Sequence, residues 1–207
     1  MIYRASMNIA GIILAGGLGT RMGHAKKAFI EIGGQPIIER LLNVYRPLFP
    51  EIVIAAREAG DFSGFKERVA VDRFDARSSL TGIHAGLAAM STTHGFFAAC
   101  DAPFLQSGLV ERLIAEVSDD DDVVIPLKED GYREPLCAVY SKRCLPSIEA
   151  QLDRGDYKII RFFDQVRVRE VPVSKLVDGD PEMVSFFNVN TPEDLAGAEE
   201  MAQKRGL

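Results

Sequence analysis

Short apolar runs of strand length alternate with helical patterns along the first two thirds of the chain, and few folds accept that rhythm. Ile9–Leu14 and Ile52–Ala56 read as buried strands, followed by shorter runs at 69–71, 96–100 and 123–126. Between them, segments 36–45, 82–90 and 107–117 place apolar residues three to four apart, the spacing of amphipathic crossover helices. Strands joined through helices enter the sheet in the same direction, and the helices cover both of its faces. The expected fold class is therefore α/β: a single-domain three-layer α/β/α sandwich around a mostly parallel, Rossmann-like sheet, with right-handed crossovers.

The rhythm changes later in the chain. Residues 132–140 read as an edge or antiparallel strand and 166–173 as another, while 143–152 and 156–163 read as helices around a Gly155 turn. Near the end Thr191 is a candidate N-cap, Pro192 fits the first helical position, and Glu193 and Asp194 complement the helix dipole. Residues 1–7 read as an N-terminal extension, with Met7 an alternative start, and 8–207 as one domain.

Charge narrows the partners. Against 24 basic residues stand 30 acidic ones, a net charge of −6, which argues against broad nucleic-acid binding. No stretch approaches the ~20 consecutive apolar residues of a membrane span. Cys100, Cys137 and Cys144 lack metal-ligand spacing and sit in or beside apolar runs, where buried reduced thiols belong. An odd cysteine count without a signal peptide points to a cytoplasmic location.

The first strand runs into Leu14-Ala15-Gly16-Gly17-Leu18-Gly19-Thr20-Arg21-Met22-Gly23-His24-Ala25-Lys26-Lys27. Its glycines permit close backbone approach, and exposed amides at the carboxyl end of a parallel strand form an anion nest. Two known phosphate motifs fail on spacing, since Met22 occupies the final glycine of a G-x-G-x-x-G pattern and also the second glycine of a P-loop. Arg21, Lys26 and Lys27 instead supply concentrated positive charge suited to a triphosphate. A solvated basic turn is the plainer alternative.

Two acids follow strands. Asp101 stands directly after the run at 96–100, where a carboxylate faces the ligand crevice, and its hard oxygens suit Mg²⁺. Asp72 follows the run at 69–71, with loop capping an equal alternative. The run from Asp119 to Asp122 reads as a solvated turn, since four adjacent acids repel one another.

Leu14-Ala15-Gly16-Gly17, Arg21-Met22-Gly23 and Lys27 together resemble the signature of nucleotide-diphospho-sugar-transferase-like nucleotidyltransferases. Within that group the chain is most similar to the MobA family of molybdenum cofactor guanylyltransferases. Further segments carry the resemblance nearly to the end: Phe29-Ile30-Glu31-Ile32-Gly33-Gly34-Gln35-Pro36, Cys100-Asp101-Ala102-Pro103-Phe104 and Phe187-Asn188-Val189-Asn190-Thr191-Pro192-Glu193-Asp194-Leu195. The resemblance implies transfer of GMP from GTP to the phosphate of molybdenum-molybdopterin, with pyrophosphate released. It assigns Leu14, Ala15, Gly16, Gly17, Lys27, Asp72 and Asp101 to the nucleotide and Asp101 to Mg²⁺. Arg21, Lys27 and Asp101 are then expected to be catalytic.

On the acceptor side the resemblance implies Arg133, Pro135, Asn188 and Asn190, with Lys158 and Arg161 as additional candidate anion contacts. It also implies partner proteins, either molybdenum-insertion proteins or recipient molybdoenzymes. Two departures stand out. The family's Gly-Pro-Leu-x-Gly loop is here Ser78-Ser79-Leu80-Thr81-Gly82, and a nucleotide-contacting asparagine is replaced near Ala55. Three rival readings follow: a related transferase using CTP, one with a sugar-phosphate acceptor, and a non-catalytic nucleotide-binding regulator.

Overall fold

The computed structural model describes residues 8–16, 18–19 and 25–207. Among these, seven strands make one central sheet: β1 (Ile9–Leu14), β2 (Ile52–Ala56), β3 (Arg68–Val71), β4 (His94–Ala99), β5 (Val123–Leu127), β6 (Cys137–Ser141) and β7 (Val168–Pro172). Their order across the sheet is β7-β5-β6-β4-β1-β2-β3. All neighbours run parallel except where β6 pairs antiparallel with β4 and β5.

The helices are α1 (Ile37–Leu48), α2 (Ser79–Ala89), α3 (Ser107–Ala115), α4 (Leu145–Asp153) and α5 (Pro192–Arg205). One buried cluster joins the sheet to α1, α3 and α5 through Leu41, Leu109 and Ala198, while a second joins the opposite face to α2 and α4 through Leu80 and Ile148. Both faces of the central strands are thus dry, and β1 and β4 are buried along their whole length. This is the expected three-layer α/β/α arrangement.

Four local readings are corrected. The strand expected over 132–140 is antiparallel, one of the two readings, but narrows to β6 in the sheet interior, because 128–135 forms a looped hairpin linked back by a Leu127–Arg133 bridge. The strand expected over 166–173 is β7, which lies at the sheet edge but runs parallel to β5. The helix expected over 156–163 is a 3₁₀ segment, Ile159–Gln165, whose buried Phe162 and Phe163 pack on Tyr140 and on each other. The fourth concerns the acidic run, which is not uniformly solvated. Asp121 is buried, with Oδ2 accepting from Ser118 N, Ser118 Oγ and Arg169 Nε at 2.9, 2.7 and 2.7 Å. Asp122 accepts from Arg143 Nε at 2.6 Å and from Arg167 N at 2.9 Å. Partners spaced along β7 and the start of α4 remove the repulsion that adjacency alone implies.

The carboxyl half is tied down by backbone contact as well as by side chains. The first turn of α3 meets the 3₁₀ turn Val177–Gly179 so closely that a Cβ at Gly179 would lie 2.3 Å from Gly108 C and O. Backbone cannot move aside as a side-chain end can. Gly179→Ala is therefore expected to cost about 3 kcal/mol by overpacking, a fall in Tm of roughly 6–12 °C on thermal unfolding. An unchanged Tm would show that the turn relaxes freely.

Candidate nucleotide-binding site

The parallel strands β4, β1, β2 and β3 end together, and the chain passes from β1 to β2 on one side and returns to β4 on the other. That reversal opens a crevice at their carboxyl ends, the usual ligand position in such sheets. A cavity of about 360 Å³ occupies it, lined by residues from all four strand ends, among them Gly16, Ala55, Asp72 and Asp101. Its floor is fixed by backbone hydrogen bonds, Ala15 N to Ala55 O at 2.8 Å and Cys100 N to Leu14 O at 3.0 Å.

The loop leaving β1 returns as a short antiparallel ribbon, Leu18–Gly19 against Ala25–Lys26, which delivers Lys27 to the cavity. Lys26 turns outward to an ion pair with Asp61, so only the second lysine of the pair lines the crevice. Lys27 Nζ lies 3.3 Å from Asp101 Oδ2 and 2.5 Å from Asn190 Oδ1. Gly17 and Arg21 lie outside the described residues.

Asn190 reaches this position because of a helix cap. Thr191 caps α5 in a capping box with Asp194, as its sequence predicts, and Asp194 Oδ2 also accepts from the Asn190 amide at 2.9 Å. These backbone donors hold the Asp194 carboxyl below its usual range. One residue earlier, Val189 N donates to Asp101 O at 2.7 Å. Residues from opposite ends of the chain therefore meet: Lys27, Asp101 and Asn190 form one polar cluster.

Asp101 keeps one oxygen, Oδ1, with no partner among the described residues, while Oδ2 faces Lys27. Its side chain is 18 % exposed, accessible from the cavity yet shielded enough for charge to count. Among the described residues no group of three or more His, Cys, Asp or Glu comes together as a closed metal cage. A single open carboxylate beside a phosphate-sized cavity is a donor set compatible with Mg²⁺, which takes one or two carboxylates and completes its shell with phosphate oxygens and water.

Asp72 lies across the cavity. Its Oδ2 accepts from Thr81 Oγ1 at 2.8 Å, and its Oδ1 is buried without a partner among the described residues. Burial raises its carboxyl above the ordinary range, opposed by the Thr81 hydroxyl and by the Arg57 and His84 charges. A raised folded value means that wild-type stability falls as pH rises above the unfolded value near 3.8 and through the folded one. Asp72→Asn retains an oxygen for Thr81 and removes that penalty. Its Tm relative to wild type should rise between pH 4 and pH 7, while nucleotide binding weakens; a pH-independent difference would refute the burial argument.

The sequence reading missed Arg57 and Arg77, both of which line the cavity. Arg57 directly follows β2, and position after a parallel strand end was the signal available. The Ser78 loop joins them in the wall, and Ser78 caps α2 by accepting from Thr81 N at 3.2 Å. A serine cap thus starts α2 in this loop without glycine or proline. Ala55 is in the wall and supplies no polar group.

The expected acceptor residues are more dispersed. Arg133 is engaged with Glu170 on β7, Pro135 O accepts from Tyr140 Oη at 2.7 Å, and neither lines the cavity, although the adjoining Leu136 does. Asn188 is exposed beside the buried Val189. Arg161 bonds Asp156 at 3.1 Å, and Lys158 donates its backbone N–H to the same carboxylate. The three cysteines are buried free thiols. No helix among the described residues is long and apolar enough to cross a membrane.

Comparison with known proteins identifies the family and bears out the fold. Residues 11–170 match the MobA-like NTP transferase domain. The chain is 42% identical over 191 residues to a molybdenum cofactor guanylyltransferase of Desulfosudis oleivorans, covering 92% of this chain and 94% of the relative. A molybdenum cofactor guanylyltransferase of Vibrio atlanticus is 37% identical, with 89% of this chain and 92% of the relative covered. Among solved structures, molybdopterin-guanine dinucleotide biosynthesis protein A of Archaeoglobus fulgidus superposes with a TM-score of 0.83 at 31% identity, covering 95% of this chain and 100% of that one. The chain thus belongs to the MobA-like NTP transferase family and is a nucleotidyltransferase.

Proposed function

We propose that this chain transfers GMP from GTP to the terminal phosphate of molybdopterin carrying molybdenum. An oxygen of the acceptor phosphate forms a bond to the α-phosphorus of GTP, the bond from α-phosphorus to the bridging oxygen breaks, and pyrophosphate leaves with that oxygen. The acceptor phosphate is ionised near neutrality, so no side chain has to remove a proton. Positioning and charge stabilisation then carry the rate.

The observation that carries this reading is the meeting of Lys27, Asp101 and Asn190 at the rim of the cavity. Leu14, Ala15, Gly16 and Gly17 would present backbone to the nucleotide, and Asp72 would contact it from the opposite wall. Lys27, joined by Arg21, neutralises charge on the leaving pyrophosphate. Asp101 would hold Mg²⁺, which when bound supplies Lewis-acid polarisation of the phosphate oxygens. On the acceptor side Asn190 and Asn188 adjoin the reacting end. Arg133 and Pro135 lie on the hairpin leading from Leu136 toward β7, where the phosphate-bearing pterin would approach.

Guanine and molybdopterin are supported by the activities named for the relatives. A screen of GTP and CTP with molybdopterin or a sugar phosphate, with and without Mg²⁺, tests the assignment by pyrophosphate release. Release is expected only for GTP, molybdopterin and Mg²⁺ together. Equal release with CTP, or tight GTP binding without turnover of either acceptor, would overturn it.

A further inference from the structure

Arg57 belongs to no phosphate motif, yet it is built into the cavity wall. Its stem lies beside the loop after β1, since a Cβ added at Gly16 would stand 3.6 Å from Arg57 Cγ. Nη1 donates to Ala76 O at 3.2 Å, which orients the planar fork. Nη2 has a single carboxylate within 4.0 Å among the described residues, Asp75 at 3.9 Å, whose side chain is fully exposed. An ion pair of that length in open water contributes almost nothing. The fork is therefore held in place with donors to spare.

Asp72, in the same wall, offers the opposite chemistry, a buried carboxylate oxygen without a donor. Leaving such an oxygen unpaired is costly, and a ligand N–H would relieve the cost. Ala55, a small apolar residue, lines the same cavity. Guanine alone among the common bases presents two adjacent acceptors, O6 and N7, and also a row of donors, N1–H and the 2-amino group. The first pair is what an arginine fork reads, and the second is what a carboxylate accepts. Cytosine and adenine would instead turn an exocyclic amino group toward the guanidinium.

Resting on the nucleotide-binding reading above, we propose that Arg57 is a specificity-determining residue that donates to guanine O6 and N7 while Asp72 Oδ1 accepts from its 2-amino group. The loop bond to Ala76 then has a second role, fixing the fork for base readout.

Equilibrium binding of the full chain to GTP, 7-deaza-GTP, ITP and CTP, without acceptor, tests this by calorimetry. Wild type is expected to lose about 10- to 100-fold in affinity on replacing GTP by 7-deaza-GTP, and also to bind ITP and CTP more weakly. Arg57→Ala should weaken GTP by a similar factor and abolish the difference between GTP and 7-deaza-GTP, while the ITP penalty persists through Asp72. Arg57→Lys, which keeps charge but loses the fork, should fail to restore that difference. If both variants melt like wild type yet weaken all four nucleotides equally, Arg57 only supports the Ala76 loop and the inference falls. A wild type that binds CTP as well as GTP overturns the guanine assignment itself, whereas a wild type that discriminates against CTP but binds 7-deaza-GTP as tightly as GTP overturns only the role of Arg57.

Discussion

Asp101→Ala is expected to lower kcat for pyrophosphate release by about 10³-fold while leaving Tm within a few degrees of wild type. The fold should survive because the truncated side chain is partly exposed and, among the described residues, bonded only to Lys27. The backbone bonds that anchor its strand end, Cys100 N to Leu14 O and Val189 N to Asp101 O, involve no side-chain atom of Asp101. Turnover should collapse because, in the proposed mechanism, this open carboxylate would hold Mg²⁺ beside the Lys27–Asn190 pair. The nucleotide KM should move much less than kcat, since the cavity walls remain. Asp101→Asn, equal in size but neutral, should be nearly as slow. A kcat within tenfold of wild type for either variant would remove Asp101 from the chemistry.

Lys27→Ala comes next in expected size, with kcat/KM for GTP down by about 10²-fold. Its ammonium sits between an anionic and a neutral oxygen, 3.3 Å from Asp101 and 2.5 Å from Asn190. Without it the Asp101 carboxylate faces the nucleotide phosphates uncompensated, and like charges then oppose binding. Lys27→Arg should recover only part of the loss, because a planar fork does not replace a compact ammonium between two oxygens. The Lys27→Ala and Asp101→Ala effects should also be less than multiplicative in the double variant, as expected for groups in contact. Fully multiplicative losses would mean the two residues act independently.

The strands of the nucleotide half were legible because β1, β2 and β4 are buried on both faces and so appear as continuous apolar runs. Asp101 was legible for the same reason, while Asp72 follows the short apolar run 69–71, a partly exposed edge strand. The α5 cap was legible from Thr191 and Pro192 alone, but its consequence was not. Only in three dimensions does Asp194 hold Asn190 against Lys27, 163 residues away in sequence. Arg57 and Arg77 were missed because a single arginine carries no spacing signal, and its direction depends on which strands neighbour it. The 156–163 segment looked helical because a 3₁₀ turn and an α-helix both place aromatic residues within one turn of each other. The direction of β7 depended on pairing with β5, a non-local contact absent from local periodicity.

The most direct measurement follows the α-phosphorus. The full chain would be incubated with Mg²⁺, molybdenum-loaded molybdopterin and GTP labelled at that position. The label is expected to appear in a molybdopterin dinucleotide, with one unlabelled pyrophosphate released per label transferred. Label left in GDP with release of orthophosphate, or label passing to no acceptor while GTP is bound, would contradict guanylyl transfer at this site.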